Sequence, residues 1–451
     1  MYKIKYIEET KDFEQLVKLF DQYDSVLFCV PSRDNIHPIH KDILYIINFI
    51  NDASDTFWCI VDIHSENPNT LNVTDKFKNI QFKKKVFVWN KKAYMYHFNH
   101  TENMIDINMM LYHNGLPIIS YNDCITPCHI SFIHANFPDY NTLIPINKHI
   151  ECFQNIIGRS QFDIEFPIKK YSDYIKAFFN LESTGLHINT DTFQHVYGNK
   201  FDGLIINDKI YTNYRLFTLT GRPSNHQDGF NFSAMNKENS ERVPFTSRYG
   251  KEGALFTMDY SAFHPTLNSY IIKYNKHGNS NLYEHLGKVL LEKEYLSTEE
   301  LQDIKKIVFV NLYGSINSNI KNVEYFRHTN NFMSSLYGKF NKNGYIQTPL
   351  LNRRITDEYL HDPTKNKLFN YYLQSYESEF CSVIINRLCE YLCQYNTKLV
   401  LYTYDSFTFD LFVPEYTKII TDVSNIITCN GKFQIKTYKG PNLKELSILN
   451  V

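Results

Sequence analysis

Apolar residues along this chain fall into short runs or into repeating faces, and their period separates strands from helices. Ser25-Val-Leu-Phe-Cys-Val30, Phe57-Trp-Cys-Ile-Val-Asp62 and Lys85-Val-Phe-Val-Trp89 are brief runs rich in β-branched and aromatic residues, and they predict strands. Ile43, Ile46, Ile47 and Ile50 share one face at helical spacing, so residues 43–50 are expected to be a helix. Asn103 to His113 is expected to form another, which completes a compact α/β unit. The stretch from Pro117 to Pro145 is poorly patterned, carries several prolines and reads as loops.

A second series begins with a helical pattern from Tyr171 to about Leu181, and Gly185 is placed to stop it. Gly221-Arg-Pro-Ser224 opens a long polar loop to about Arg248, Gly250–Gly253 is a turn, and Leu255–Tyr260 is a strand. Helices are expected at about 262–275, 281–292 and 298–313. For the last, Ser297 suits the N-cap, Leu296 a hydrophobic staple, and Glu299 and Glu300 the first turn. Gly344–Thr348 is a strand, Arg353–Thr356 follows a turn, and a helix rich in Tyr and Glu covers about 369–396. Leu401–Asp410 reads as a strand with Asp405 in its path, and a last strand lies near Phe433–Tyr438. There is no internal repeat and no low-complexity linker.

The 451 residues suffice for two or three domains, and 43% hydrophobic with 21% charged content is globular. The longest nearly apolar run, Ile43–Ile50, is far too short to span a bilayer, and the opening residues lack an apolar leader. A soluble, intracellular setting without membrane contact is therefore expected. The net charge of −1 removes any global basic attraction to nucleic acid. Binding would rest on local patches such as Lys83-Lys84-Lys85 and Lys91-Lys92, unless these are a solvated face, or on a partner. The cysteines are mostly scattered in apolar contexts, as reduced core thiols are. Cys124, Cys128, His129 and Cys152 have the residue types of a zinc site but lack a paired second knuckle. The preference for Asn, Lys, Ile and Tyr is what an AT-rich genome imposes, and hints at a phage, virus or organelle.

Chemistry concentrates in two places. Phe256-Thr-Met-Asp-Tyr-Ser and Leu401-Tyr-Thr-Tyr-Asp-Ser carry Asp259 and Asp405, and between them lies Lys305-Lys-Ile-Val-Phe-Val-Asn-Leu-Tyr-Gly314. Aspartate is disfavoured within strands and costs solvation there unless it serves a purpose. Two such carboxylates around a basic, aromatic helix suit a two-metal nucleotidyl transferase. The bland alternatives are strand-end aspartates, a surface lysine and a core stripe of Phe309 and Tyr313 at i, i+4.

In this order the motifs resemble those of the family A DNA polymerases, the group of bacterial polymerase I and its phage relatives. The resemblance covers residues about 175–451. Leu181-Glu-Ser-Thr-Gly-Leu-His-Ile188 resembles the element preceding the polymerase core, and Thr220-Gly-Arg-Pro-Ser224 its Thr-Gly-Arg-x-Ser. Asp259-Tyr-Ser matches motif A, and Lys305, Phe309, Tyr313 and Gly314 fall at the O-helix spacing. Gly344-Tyr-Ile-Gln-Thr through Arg353-Arg354, Asn370 with Gln374, Tyr404-Asp-Ser406 and Gly440-Pro-Asn-Leu443 are similar to the later motifs. The resemblance implies an α/β and α+β multidomain protein with a right-hand palm and fingers and an N-terminal ribonuclease H-like, exonuclease-like domain. It implies residues 1–155 for that domain, 156–215 for a connector and vestigial thumb, and 216–451 for the palm, with fingers at about 275–345. It implies primer-template DNA and dNTPs as substrates and two Mg²⁺ ions held by Asp259, Asp405 and the Tyr260 carbonyl. Lys305, Phe309, Tyr313, His264 and Tyr260 would meet the nucleotide, and Arg222, Arg353, Arg354 and Gln374 the DNA. The implied role is replication of a phage or viral genome inside the host cell.

The departures are as informative. His264 stands where the family has a sugar-gating glutamate, Leu301 replaces the O-helix arginine, and Ser406 replaces a second motif C carboxylate. Only 35 residues separate Gly185 from Gly221, where the family carries a long thumb, so a processivity partner is expected to supply the grip. Asn90-Lys-Lys-Ala-Tyr94 resembles an exonuclease motif with Tyr94 in the aspartate's place, Asp106 sits where a helix-start aspartate would follow, and Phe28-Cys-Val-Pro-Ser32 lacks Asp-x-Glu. The N-terminal domain is expected to have lost its nuclease. Two rivals stand beside the polymerase reading: a primer-making enzyme with relaxed sugar choice, and a catalytically silent replisome scaffold.

Overall fold

The structure, a computed structural model, describes residues 3–7, 9–31, 43–50, 52, 56–62, 68–118, 168–225, 229–236, 239–278, 280–358 and 360–449. The loops expected at Pro117–Pro145 and the Cys124, Cys128, His129 and Cys152 group lie outside the described residues, apart from Pro117 and Ile118. Contacts divide the chain into two units, Met1–Phe179 and Asn180–Val451. No helix among the described residues is long and apolar enough to cross a membrane.

The first unit is built on β1 (Lys3–Tyr6), α1 (Thr10–Gln22), β2 (Ser25–Pro31), β3 (Ile43–Phe49), β4 (Thr56–Asp62), α2 (Pro68–Lys78), β5 (Val86–Val88), α3 (Lys91–Tyr94), β6 (Met104–Asp106) and α4 (Ile107–His113). Its sheet runs β1-β4-β3-β2-β5-β6. Strands β2, β3 and β4 pair antiparallel, while β5 and β6 continue parallel to β2. That is the strand order of a ribonuclease H-like sheet.

Residues 43–49 are a strand, not the helix their spacing predicts. Tyr45, Ile46 and Ile47 are all fully buried because β3 is an inner strand covered on both faces. A strand buried on both faces loses its alternation and presents a continuous apolar run, which a helical template fits equally well. The helix expected from Asn103 starts later, after β6. Asp106 caps α4 by accepting from the Met109 N–H at 3.2 Å. Lys91 and Lys92, expected as part of a basic surface patch, are buried. The Lys91 ammonium instead donates to Ser172 Oγ at 3.1 Å.

Helix α5 (Ile168–Glu182) precedes the second unit, and Gly185 follows it with φ +65°. A Cβ there would lie 2.8 Å from the Tyr211 ring, so glycine is required for both backbone and space. The chain then makes β7 (Leu186–His187), α6 (Thr190–Tyr197), β8 (Ile205–Ile206) and β9 (Lys209–Ile210). Between Gly185 and Gly221 the longest helix is thus the eight residues of α6. The long loop expected to be polar also buries Phe230, Phe232, Met235 and Phe245 against Leu186, Ile188 and Phe193.

The central sheet holds β10 (Gly253–Tyr260), followed by α7 (Phe263–Ile271), α8 (Leu282–Leu291), α9 (Thr298–Tyr313) and α10 (Glu324–Asn343). Then come β11 (Tyr345–Gln347), β12 (Arg354–Thr356), α11 (Lys365–Leu392), β13 (Lys398–Thr403), β14 (Ser406–Phe412), α12 (Tyr416–Thr428), β15 (Ile435–Gly440) and β16 (Ser447–Ile448). The sheet order is β13-β14-β10-β15-β16, with antiparallel pairs throughout. Helix α9 begins with the expected capping box: Ser297 Oγ accepts from the Glu300 N–H, and the Glu300 carboxylate takes the Ser297 N–H. Its buried residues Ile304 and Val308 pack with Leu282, Leu286, Tyr325 and Phe326 in a core shared by α8, α9 and α10. The segment expected as one strand at Leu401–Asp410 is two strands, β13 and β14, with Tyr404 and Asp405 in the turn between them.

Candidate active site

Strand β10 and the β13–β14 hairpin bring Asp259 and Asp405 together. Asp259 lies opposite Ser406 in the register of β10 and β14. One step further, the Tyr260 N–H donates to the Asp405 carbonyl at 2.9 Å. The main chains of the two aspartates therefore lie side by side at one end of the sheet, Asp259 near the end of β10 and Asp405 in the turn before β14. Tyr404 takes φ +59° in the hairpin turn, a conformation that usually selects glycine or asparagine. This cost is tolerated where it sets Asp405 in the turn, with its residue surface exposed but its carboxyl crowded by neighbouring atoms. Burial of its carboxyl and the negative charge of Glu377 hold Asp405 above the usual carboxylate range, against His264 and Arg222.

Two aspartates are hard oxygen donors. Among the described residues no group of three or more His, Cys, Asp or Glu side chains is arranged to hold a metal. Mg²⁺ binds commonly through one or two carboxylates completed by water and substrate phosphates, so this sparse donor set fits it better than zinc. The Tyr260 ring takes no part: it is buried, stacks on Phe263 at 4.1 Å, and its hydroxyl donates to the Ile427 carbonyl at 2.6 Å. Only its main chain remains available to the site.

Helix α9 presents Lys305, Phe309 and Tyr313 one turn apart on a face that flanks its core residues. Phe309 is 59% exposed and its ring lies 4.6 Å from that of Tyr313. Val310 beside it is 61% exposed, so α9 offers an apolar surface that nothing in this unit covers among the described residues. The end of α9 is tied to the palm. The Tyr313 hydroxyl bonds His264 Nδ1, and Asn370 Nδ2 donates to the Tyr313 carbonyl at 2.9 Å.

His264 is 6% exposed and occupies the first turn of α7. Its Nε2 meets Glu377, a carboxylate the motif reading missed, which is wholly buried on α11. Arg222 reaches the same carboxylate oxygen through Nε at 2.7 Å and Nη2 at 2.5 Å. Burial alone would raise Glu377, but His264 and then Arg222 outweigh it and hold it below the usual carboxylate range. The Arg222 guanidinium also lies over the Tyr404 ring at 4.9 Å. A signal for Glu377 was present in the sequence: Asn370, Gln374 and Glu377 stand at i, i+4 and i+7.

The remaining DNA-facing candidates separate. Gln374 is half-buried on the same helix. Arg354 is half-buried, with its guanidinium over the Tyr345 ring at 4.8 Å. Arg353 is 0% exposed, and its Nη2 donates to the Leu219 carbonyl at 2.9 Å. The interior position makes it a brace for the loop leading to Arg222, not a surface contact. Sequence spacing could not distinguish these neighbours, because alternate residues of a strand face opposite sides.

In the first unit, the residues expected from the exonuclease resemblance are interior. Strand β2 carries no carboxylate. The Tyr94 hydroxyl donates to the Leu27 carbonyl at 2.7 Å and accepts from the Cys29 N–H at 3.0 Å. Asp106 is fully buried and pushed up to about 7 by that burial, despite hydrogen bonds from the Lys91 and Met109 N–H groups.

The architecture is similar to a solved structure, the POL domain of Pol1 from M. smegmatis in complex with DNA primer-template and dNTP. The TM-score is 0.69, and the match covers 97% of this chain and 99% of that one at 10% sequence identity. No protein-family model matches the chain, and no curated protein matches its sequence. The fold is that of a multidomain α/β polymerase domain.

Proposed function

We propose that the chain is a template-directed DNA polymerase of the family A type, extending a primer 3′ end with dNTPs. The observation that carries this reading is the main-chain adjacency of Asp259 and Asp405 at one end of the sheet, with the Lys305–Tyr313 face of α9 anchored to the same unit through Tyr313. A fold shared with a domain seen with primer-template and dNTP supports it. Asp259, Asp405 and the Tyr260 carbonyl would hold two Mg²⁺ ions. When bound, these ions would activate the primer hydroxyl and stabilise the leaving pyrophosphate. Lys305 neutralises the triphosphate, Phe309 and Tyr313 wall the nascent base pair, and His264 faces the sugar. Gln374 and Arg354 meet the primer-template. Arg222 acts beside them with its charge shared by Glu377.

The rest of the reading follows from what surrounds this site. The short elements between Gly185 and Gly221 are a vestigial thumb, and a processivity partner replaces its grip. The Tyr94 plug and the missing carboxylates of β2 support a lost exonuclease. Residues 1–155 form that domain, 156–215 the connector, and 216–451 the palm with its fingers. The composition suits a phage or viral replication enzyme.

Primer extension with Mg²⁺ and dNTPs, comparing wild type with Asp405→Ala, tests the assignment. Extension that the substitution abolishes supports it. Equal extension by both proteins would remove Asp405 from the chemistry. No extension by either, with or without extract of the native host, would favour the silent scaffold. His264 in the place of a gating glutamate makes sugar choice the property to measure, by comparing rNTP with dNTP incorporation.

A further inference from the structure

His264, Tyr313, Glu377 and Arg222 form one connected hydrogen-bond network, and its chemistry has a direction. The Glu377 carboxylate is acceptor-only, so His264 Nε2 must carry the proton it shares with that oxygen. Arg222 Nη2 lies 3.2 Å from the same nitrogen, a donor–donor contact accepted because both donors end on Glu377. In the tautomer with the proton on Nε2, Nδ1 is the acceptor and the Tyr313 hydroxyl its donor. The carboxylate thus determines, through the ring, which way the Tyr313 hydroxyl points.

We propose that Glu377 is a positioning residue for sugar selection: by holding His264 in one tautomer and orientation it locks Tyr313 at the end of α9 and closes the space a ribose 2′-hydroxyl would need. The proposal rests on the polymerase reading above. Three observations carry it. Glu377 is wholly buried, so its carboxylate is committed to this network and not to solvent. Three donor atoms on two side chains converge on its Oε2. Tyr313 is the last residue of the helix that bears Lys305, so the anchor acts on the element that receives the nucleotide. A gate built this way needs no carboxylate on α7, because α11 supplies it from behind the histidine.

The test compares dNTP and rNTP incorporation, as kcat/KM ratios, for wild type, Glu377→Gln, Glu377→Ala, His264→Ala and the Glu377→Ala/His264→Ala double variant. Glu377→Ala should lower the preference for dNTP about tenfold, the loss of one charge-assisted hydrogen bond. The change should appear mainly as a lower KM for rNTP, the substrate the closed space excludes. Glu377→Gln, which keeps the shape and one acceptor oxygen, should fall between wild type and Glu377→Ala. The double variant should be no worse than His264→Ala alone, since Glu377 acts only through that ring. An unchanged ratio in a folded Glu377→Ala protein, or additive effects in the double variant, would overturn the proposal.

A readout independent of activity separates this from the polymerase reading. Nitrogen-15 histidine NMR of the full chain, with His264 assigned by its substitution, should report Nε2–H with an unprotonated Nδ1 in wild type. The signature should become a tautomer mixture in Glu377→Ala. The same tautomer in both proteins would sink the positioning role even if extension is robust. Tautomer control without incorporation of either sugar would sink sugar selection together with the polymerase reading, while leaving the network itself intact.

Discussion

Replacing Gly221 by alanine should be the most damaging single methyl addition to the site. Gly221 has φ +83°, and a Cβ there would lie 2.4 Å from Ser375 Oγ and 3.0 Å from the Ser375 Cα. The left-handed backbone alone costs a non-glycine residue about 1–2 kcal/mol. Forcing a methyl into packed atoms adds about 1–3 kcal/mol, because the Cα of α11 cannot swing away as a side-chain tip could. The sum is about 2–5 kcal/mol, or a fall in Tm of about 4–10 °C at about 2 °C per kcal/mol for a unit of this size. Gly344→Ala is the matched control: φ is +76°, but nothing lies within 4 Å of its Cβ position, so only the backbone penalty should appear. Thermal and urea unfolding of both variants isolates the contact with Ser375. Adding Ser375→Gly to Gly221→Ala should recover part of the loss. Because Arg222 follows Gly221, any displacement also pulls on its pair with Glu377, so primer extension should fall with stability. Equal losses in Gly221→Ala and Gly344→Ala would refute the close approach of this loop to α11.

Three further outcomes follow from the same reasoning. Arg353→Leu should cost about 1–3 kcal/mol, since it removes the buried donor that holds the Leu219 carbonyl, whereas Arg354→Ala should cost under about 1 kcal/mol. If Arg354 meets a phosphate, its loss should also flatten the salt dependence of DNA binding by about one unit of slope in a filter or anisotropy titration. Tyr94→Phe should destabilise the first unit by about 1–3 kcal/mol in hydrogen-exchange measurements, because it removes the partner of both the Leu27 carbonyl and the Cys29 N–H. Asp106 is raised from 3.8 to about 7 in the folded state, so its protonated form favours folding: stability present below about pH 4 should decline by about 4 kcal/mol as pH rises through 7. Asp106→Asn keeps an acceptor for the α4 cap and should remove that slope, read from pH-dependent exchange of β6 and α4 amides.

By itself the sequence determined the local elements whose signals are short-ranged. The capping box at Ser297 and Glu300 placed the start of α9 correctly, because both partners lie within one turn. From the sequence, Asp259, Lys305, Phe309, Tyr313 and Asp405 stood out as candidates for nucleotidyl transfer through the order of their motifs, and Asp259 also through the rarity of aspartate in a strand. Tertiary structure decided what depends on faces and distant partners. Residues 43–49 are a strand because two covering layers bury both sides, a condition invisible to periodicity. Asp405 lies in a turn because β13 and β14 fold back on each other to pair. Arg353 and Arg354 are adjacent in sequence, yet only the packing against the Leu219 loop puts the first in the core. Glu377 belongs to the site only because α7, α9, α11 and the Arg222 loop converge on it. Its two partners, Arg222 and His264, and Tyr313 beyond the histidine, stand far from it along the chain. No window along the sequence contains them all, and burial, which makes their shared charge consequential, exists only in the folded chain.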